Sequence, residues 1–175
     1  KFANQNGLFK GTEVDTFSPE DAMTRAMLVT VLWRLDGQSA PSTLTTLFVD
    51  VPVTTGKNIY YAEAVAWAAE NGIINGVDTT HFAPDDEVTR EQIAAILFRC
   101  AAKKGVDTTD RADLTIFPDA DQVSGYAKEA LAWANAAELV KGSKEGRQIL
   151  LMPQGSATRA QVAVILSRYA ETIAK

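Results

Sequence analysis

The chain has 175 residues, 46% of them hydrophobic and 22% charged, a globular composition that argues against disorder. Its net charge of −5, with no Lys/Arg run, makes nucleic acid and anionic membrane surfaces poor partners. No apolar stretch approaches ~20 residues, so no membrane insertion is expected. One cysteine and one histidine leave no disulfide framework and little basis for a metal site, and nothing calls for a cofactor.

In chain order, KFANQNG opens without an apolar signal-type core, as expected of a cytosolic chain or of a mature or excised one. FANQNGLFKG, Phe2 to Gly11, reads as the tail of an element that recurs later. A turn follows, FSPEDAMTR, and then a helix over Met23 to Leu35. Thr24 suits its N-cap, but Met27 three residues on leaves the capping box half made. Leu28, Val31, Leu32 and Leu35 recur at i, i+3, i+4 and i+7, an amphipathic stripe of about three turns.

Linker residues GQSAPSTLTT lead to FVDV at Phe48 to Val51, and then to an aromatic, Ala-rich helix ending in AVAWAAENGIING, Ala64 to Gly76. The turn FAPDDEVTR introduces a second Thr-Arg helix, with Thr89 and Gln92 completing a capping box and Ile93, Ile96, Leu97 and Cys100 as its stripe. The same order then repeats. KKGVDTTDRAD is a linker, FPDA occupies Phe117 to Ala120, and ALAWANAAELVKG occupies Ala130 to Gly142. SKEGRQIL makes a longer loop with three extra residues, and LMPQGSATR precedes the third Thr-Arg helix. There Thr158 and Gln161 form the box, and Val162, Ile165, Leu166 and Tyr169 form the stripe.

Gly11, Gly76 and Gly142 fall 65 and 66 residues apart, and Arg25, Arg90 and Arg159 fall 65 and 69 apart. The chain therefore divides into a partial repeat over 1–38 and two full ones over 39–105 and 106–175, read together as one domain over 1–175. Three equivalent stripes with no other obvious partner predict a central three-helix core with the Trp helices packed around it.

Each Arg after a Thr sits in a helix first turn, where the dipole disfavours a cation, so three of them call for a reason. One reason is structural: an ion pair to Asp50 or Asp119 of the Phe-x-Asp segments, or to Asp85 and Asp86. The other is an anion site, a guanidinium beside free helix N–H groups clamping a carboxylate or phosphate. Both stand on the residues alone. Trp67 and Trp133, among alanines, are expected in the core. Tyr60 and Tyr126, one heptad earlier, either stack on a sugar face or close the core. Cys100 reads as a small core residue and His81 as a solvated loop residue. The cluster Asp85–Glu87 lacks the spaced oxygens of a calcium loop and reads as helix N-terminal charge. Arg34, Arg99 and Arg168 suit the helix C-terminal end. The sequence contains no nucleophile elbow, phosphate loop or HExxH, so no enzyme is expected.

Phe-x-Asp-Val, the helix ending in AENGIINGV, Phe-x-Pro and Thr-Arg-Glu-Gln together resemble the S-layer homology repeat, strongest over 48–101, good over 117–170 and partial over 2–35. The resemblance implies three tandem repeats, the first truncated at its N-terminus. Their fold would be all-α, a pseudo-threefold spindle around a central three-helix bundle with short loops or minor strands between helices. It implies an extracellular, non-catalytic anchor in the bacterial cell wall or S-layer. The anchor would bind a secondary cell-wall polysaccharide, often one carrying pyruvylated N-acetylmannosamine, in grooves between repeats. A pyruvyl ketal exposes a carboxylate, which makes Arg25, Arg90 and Arg159 candidate ligand contacts. Tyr60 and Tyr126 match a family aromatic that is usually Trp. The position where the family commonly has Glu is Met27, Gln92 and Gln161 here, and the two glutamines join the candidate contacts. The missing first helix was cut, processed away, or is supplied by another chain through self-association. Two further readings stand beside the first: a structural or protein-interaction module of an S-layer, and an anchor to modified peptidoglycan.

Overall fold

The computed structural model describes residues 17–44, 48–52 and 59–173, so the element expected at Phe2–Gly11 lies outside the described residues. These residues are mostly helical, with one small two-stranded sheet, as the all-α expectation requires. They form two compact units, Lys1–Glu87 and Val88–Lys175.

In the first unit, α1 (Arg25–Leu35) packs on α2 (Ala62–Glu70). The Thr24 hydroxyl accepts from Met27 N at 3.2 Å, the half cap that the sequence predicts. Leu28, Val31 and Leu32 are buried and Leu35 half-buried; Val29 and Thr30 are buried too, so the covered face is wider than the stripe. Thr30 satisfies its hydroxyl on Ala26 O at 2.7 Å within the helix. Trp67 is buried on α2, as expected of an aromatic among alanines. The helix stops in a Schellman motif: Gly72 takes φ +66° and Ile73 N donates to Ala68 O at 2.8 Å.

The second unit contains α3 (Arg90–Lys103), α4 (Lys128–Ala136) and α5 (Arg159–Ile173), with short 3₁₀ turns leading into α4. α3 packs on α4, so in both units a Thr-Arg helix packs against the Trp helix of the following repeat. Trp133 is buried there and meets Phe98 edge-on at 5.6 Å. Both predicted capping boxes are closed. Thr89 and Gln92 exchange bonds at 3.3 Å each, and Thr158 and Gln161 at 3.2 and 3.3 Å. The stripes of α3 and α5 are buried throughout, including Cys100 and Tyr169. The insertion in SKEGRQIL is a hairpin, β1 (Ser143–Glu145) antiparallel to β2 (Gln148–Leu150). Gly146 at φ +60° fills the first central position of its two-residue turn, where a type II′ turn needs a positive φ.

The repeated glycines have a steric cause. A Cβ on Gly76 would stand 2.3 Å from Asp78 O and His81 O and 2.8 Å from the Phe48 ring. On Gly142 it would meet Ile149 Cγ2 at 2.7 Å, Leu150 O at 2.9 Å and the Phe117 ring at 3.1 Å. Glycine and the Phe-x-Asp phenylalanine are thus two halves of one contact, which is why they recur together.

Candidate functional site

The apolar-x-Pro turns hold an unusual backbone. Their middle residues, Ser18, Ala83 and Met152, all take positive φ, at 48°, 57° and 50°, although none is glycine. Such a conformation costs an L-residue about 1–2 kcal/mol. Two of the turns show what offsets it. Asp50 accepts from Phe82 N at 2.9 Å and Ala83 N at 2.7 Å; Asp119 accepts from Leu151 N at 2.9 Å and Met152 N at 2.7 Å. The Phe-x-Asp aspartate is therefore the clamp of the left-handed turn. Burial pushes the Asp50 carboxyl up, but backbone hydrogen bonds, led by those from Phe82 N and Ala83 N, contribute to leaving the group below the ordinary carboxylate range.

The Thr-Arg arginines address the same turns. Arg25, Arg90 and Arg159 are all buried. Arg25 Nε donates to Phe82 O at 2.8 Å, its Nη2 donates to Asn75 O at 3.2 Å, and the guanidinium lies 4.8 Å from the centre of the Phe82 ring. Arg90 Nε donates to Leu151 O at 2.9 Å. Each turn is thus gripped from both sides, its amides by an aspartate and its carbonyl by an arginine. In place of the ion pair expected of a structural arginine, Arg90 bonds this carbonyl, while Asp119 binds the amides of the same turn. For Arg90, burial lowers the guanidinium pKa and the Asp119 charge partly restores it. Its two terminal nitrogens have no hydrogen-bond partner among the described residues, and neither is a buried unsatisfied atom, so they keep contact with solvent.

The N–H groups expected to remain free at the helix starts are in use. Arg25 N donates to Asp86 O at 2.9 Å and Ala26 N to Pro84 O at 3.0 Å; Arg90 N donates to Gly155 O and Glu91 N to Pro153 O, both at 3.0 Å. Met27 N and Gln92 N are held by their N-cap hydroxyls. An anion at α1 or α3 would therefore have to find side chains, because those amides are satisfied. The oxygens of Gln92 and Gln161 are likewise committed to their caps.

The two tyrosines remain at the surface. Tyr60 is 55% exposed and meets Tyr61 edge-on at 5.1 Å; Tyr126 is 57% exposed and its hydroxyl donates to Glu91 Oε1 at 3.1 Å. Burial raises the Tyr61 pKa, helped by the charges of Asp85, Tyr60 and Asp50. Glu91 escaped sequence reasoning. It is 2% exposed and gathers Ser124, Tyr126 and Gln154 around its carboxylate. The available signal was a break in the repeat, since Ala26 and Ala160 occupy the same place in the other Thr-Arg helices.

His81 is exposed beside Asp78, whose carboxylate accepts Thr80 N at 2.7 Å and His81 N at 2.8 Å; these bonds, led by Thr80 N, lower its pKa to about 2. Of Asp85–Glu87, the backbone does the visible work, Asp86 O capping α1 and Glu87 bridging to Thr24. Among the described residues no three His, Cys, Asp or Glu are placed to hold a metal ion, and no helix is long and apolar enough to cross a membrane.

The three Thr-Arg arginines and the Asp119 clamp lie in segments that match a known family. The model of the S-layer homology domain matches residues 1–26, 54–94 and 116–163. The chain belongs to the S-layer homology family. It is 33% identical over 157 residues to an endoglucanase of Bacillus sp. (strain KSM-635), covering 90% of this chain and 16% of that protein. It is 32% identical over 167 residues to the surface-layer 125 kDa protein of Lysinibacillus sphaericus, covering 95% of this chain and 13% of that protein. With cell surface glycoprotein 1 of Acetivibrio thermocellus the identity is 28% over 127 residues, 70% of this chain and 5% of that one. The chain thus spans less than a fifth of each of these relatives, and what it shares with them is the S-layer homology portion. Three matched segments agree with three repeats, and the family places the chain at the extracellular cell wall or S-layer in an anchoring role.

Proposed function

We propose that this S-layer homology chain is a non-catalytic anchor that grips a secondary cell-wall polysaccharide bearing an acidic, pyruvylated sugar. The observation that carries the reading is Tyr126, a ring 57% exposed at the start of a Trp helix, with its hydroxyl tied to the first turn of α3 beside Arg90. An exposed tyrosine fixed at its polar end offers a flat apolar face to a sugar ring. The two terminal nitrogens of Arg90, which have no hydrogen-bond partner among the described residues, supply a planar fork for a ketal carboxylate. In the first unit Tyr60 is the corresponding face, whereas Arg25 spends two nitrogens on backbone carbonyls and is the weaker anion donor. Arg159, Gln92 and Gln161 complete the set of candidate contacts. The repeats over 1–38, 39–105 and 106–175 would act as one domain with pseudo-threefold symmetry.

The test is sedimentation with purified bacterial walls before and after chemical removal of the secondary polysaccharide. Binding that disappears with the polysaccharide, and that Tyr126→Ala weakens, is the expected result. Retention on polysaccharide-free peptidoglycan would favour the peptidoglycan reading, and no wall binding would leave an S-layer interaction module. Wall-glycan turnover by the chain would overturn the non-catalytic assignment.

A further inference from the structure

Glu91 is the buried group that the fold itself does not explain. Its carboxylate accepts four hydrogen bonds: from Ser124 N at 3.0 Å, Ser124 Oγ at 2.8 Å, Tyr126 OH at 3.1 Å and Gln154 Nε2 at 3.2 Å. Gln154 Nε2 also donates to Ser124 Oγ at 3.1 Å and to Gln122 O at 3.4 Å, which closes the network. Burying a carboxylate is unfavourable unless its lone pairs are occupied, and here they are. Yet a carboxylate is not needed to start a Thr-Arg helix, because Ala26 stands at this place in α1 and Ala160 in α5. Helix capping does not need it either, since Thr89 and Gln92 supply the whole box.

What Glu91 does distinctively is tie an exposed ring to a rigid helix. An exposed tyrosine ordinarily samples several rotamers, and a ligand that stacks on it must freeze one of them. With its hydroxyl already bound to a buried carboxylate, the Tyr126 ring is ordered before any ligand arrives. The ordering cost so avoided corresponds to about three- to tenfold in affinity. We propose that Glu91 is a positioning residue for glycan binding, which holds Ser124, Tyr126 and Gln154 together so that Tyr126 presents one fixed stacking face. The proposal rests on the wall-glycan reading above and adds to it the residue that fixes the Tyr126 face.

The experiment compares the full chain with Glu91→Ala, Glu91→Gln, Tyr126→Phe and Tyr126→Ala, titrating purified secondary wall polysaccharide well below each unfolding midpoint. Glu91→Ala and Tyr126→Phe should each weaken binding about three- to tenfold. The double variant should lose no more than Glu91→Ala alone, because both changes break one link. Glu91→Gln keeps an acceptor oxygen and should restore most of the affinity. Without ligand, 3-fluorotyrosine at position 126 should give a single sharp ¹⁹F line that shifts and broadens in Glu91→Ala. Additive losses, unchanged binding in Glu91→Ala, or an unchanged ¹⁹F line would overturn the positioning role while leaving the glycan reading intact. If Tyr126→Ala binds normally, the Tyr126 face is wrong. If the unsubstituted chain does not bind the polysaccharide, the glycan reading fails and this proposal falls with it.

Discussion

Arg90→Ala separates the two reasons for an arginine in a helix first turn. The side chain is buried, and its Nε donates at 2.9 Å to the carbonyl of Leu151, itself fully buried. A hydrogen bond from a charged donor contributes about 1.5–3 kcal/mol, and leaving the carbonyl orphaned is the same loss seen from the other partner, so the two are not added. Removing the aliphatic stem adds roughly 1 kcal/mol of lost packing. Against this, the variant relieves the burial that lowers the guanidinium pKa and an unfavourable cation–dipole contact of about 0.3–1 kcal/mol. The net expectation is a destabilisation of about 2–3 kcal/mol, or about 4–12 °C in unfolding midpoint for a chain of this length. Thermal and urea unfolding followed by circular dichroism measure it. Arg90→Met, which keeps the stem, should recover the packing part alone, and Arg90→Lys should fall short because an ammonium cannot reproduce the position of Nε. An unchanged midpoint in Arg90→Ala, with glycan binding lost, would refute the argument and make the arginine a ligand residue only.

Three further outcomes are expected. Asp119→Ala orphans the amides of Leu151 and Met152 and releases a turn held at φ +50°, so stability should fall by about 2–4 kcal/mol in urea denaturation; combined with Arg90→Ala the losses should be less than additive, because both residues grip one turn. Glu138 occupies at φ +59° the place that Gly72 fills after α2, with Leu139 N closing the Schellman bond to Ala134 O at 2.8 Å. Glu138→Gly should therefore raise stability by about 0.5–1 kcal/mol, and a loss would contradict the left-handed assignment. Asp78 should titrate near 2 by carboxyl NMR. Because its folded pKa lies below the unfolded carboxylate value of about 4, its contribution is present above that value and fades as pH falls from about 4 toward 2. An Asp78→Asn chain should lack that component, and an Asp78 carboxyl titrating at the ordinary value would remove the Thr80 and His81 amides as its cause.

The elements that depend on neighbours along the chain were legible in the residues. Helix starts at Thr24, Thr89 and Thr158, the capping boxes, the half cap left by Met27, and the buried stripes all follow from spacings of seven residues or fewer. The burial of Trp67, Trp133 and Cys100 was legible for the same reason, since an apolar residue among alanines on a periodic helix has few other places to go. Even the insertion in SKEGRQIL could be located by comparing repeats, although not its hairpin. The repeat markers were visible as well, but their partners were not. That Phe48 covers Gly76, that Asp119 clamps the Leu151–Met152 turn, and that Arg90 grips Leu151 O are contacts across 28, 32 and 61 residues. Local propensity carries no information about which of several carbonyls or amides a buried polar group will meet. An arginine in a helix first turn therefore left both an anion site and a brace open, until packing brought a left-handed turn against it. Glu91 shows the same division: the sequence marks it as the one acidic residue where its counterparts are alanine, and only the fold gathers Ser124, Tyr126 and Gln154 around it.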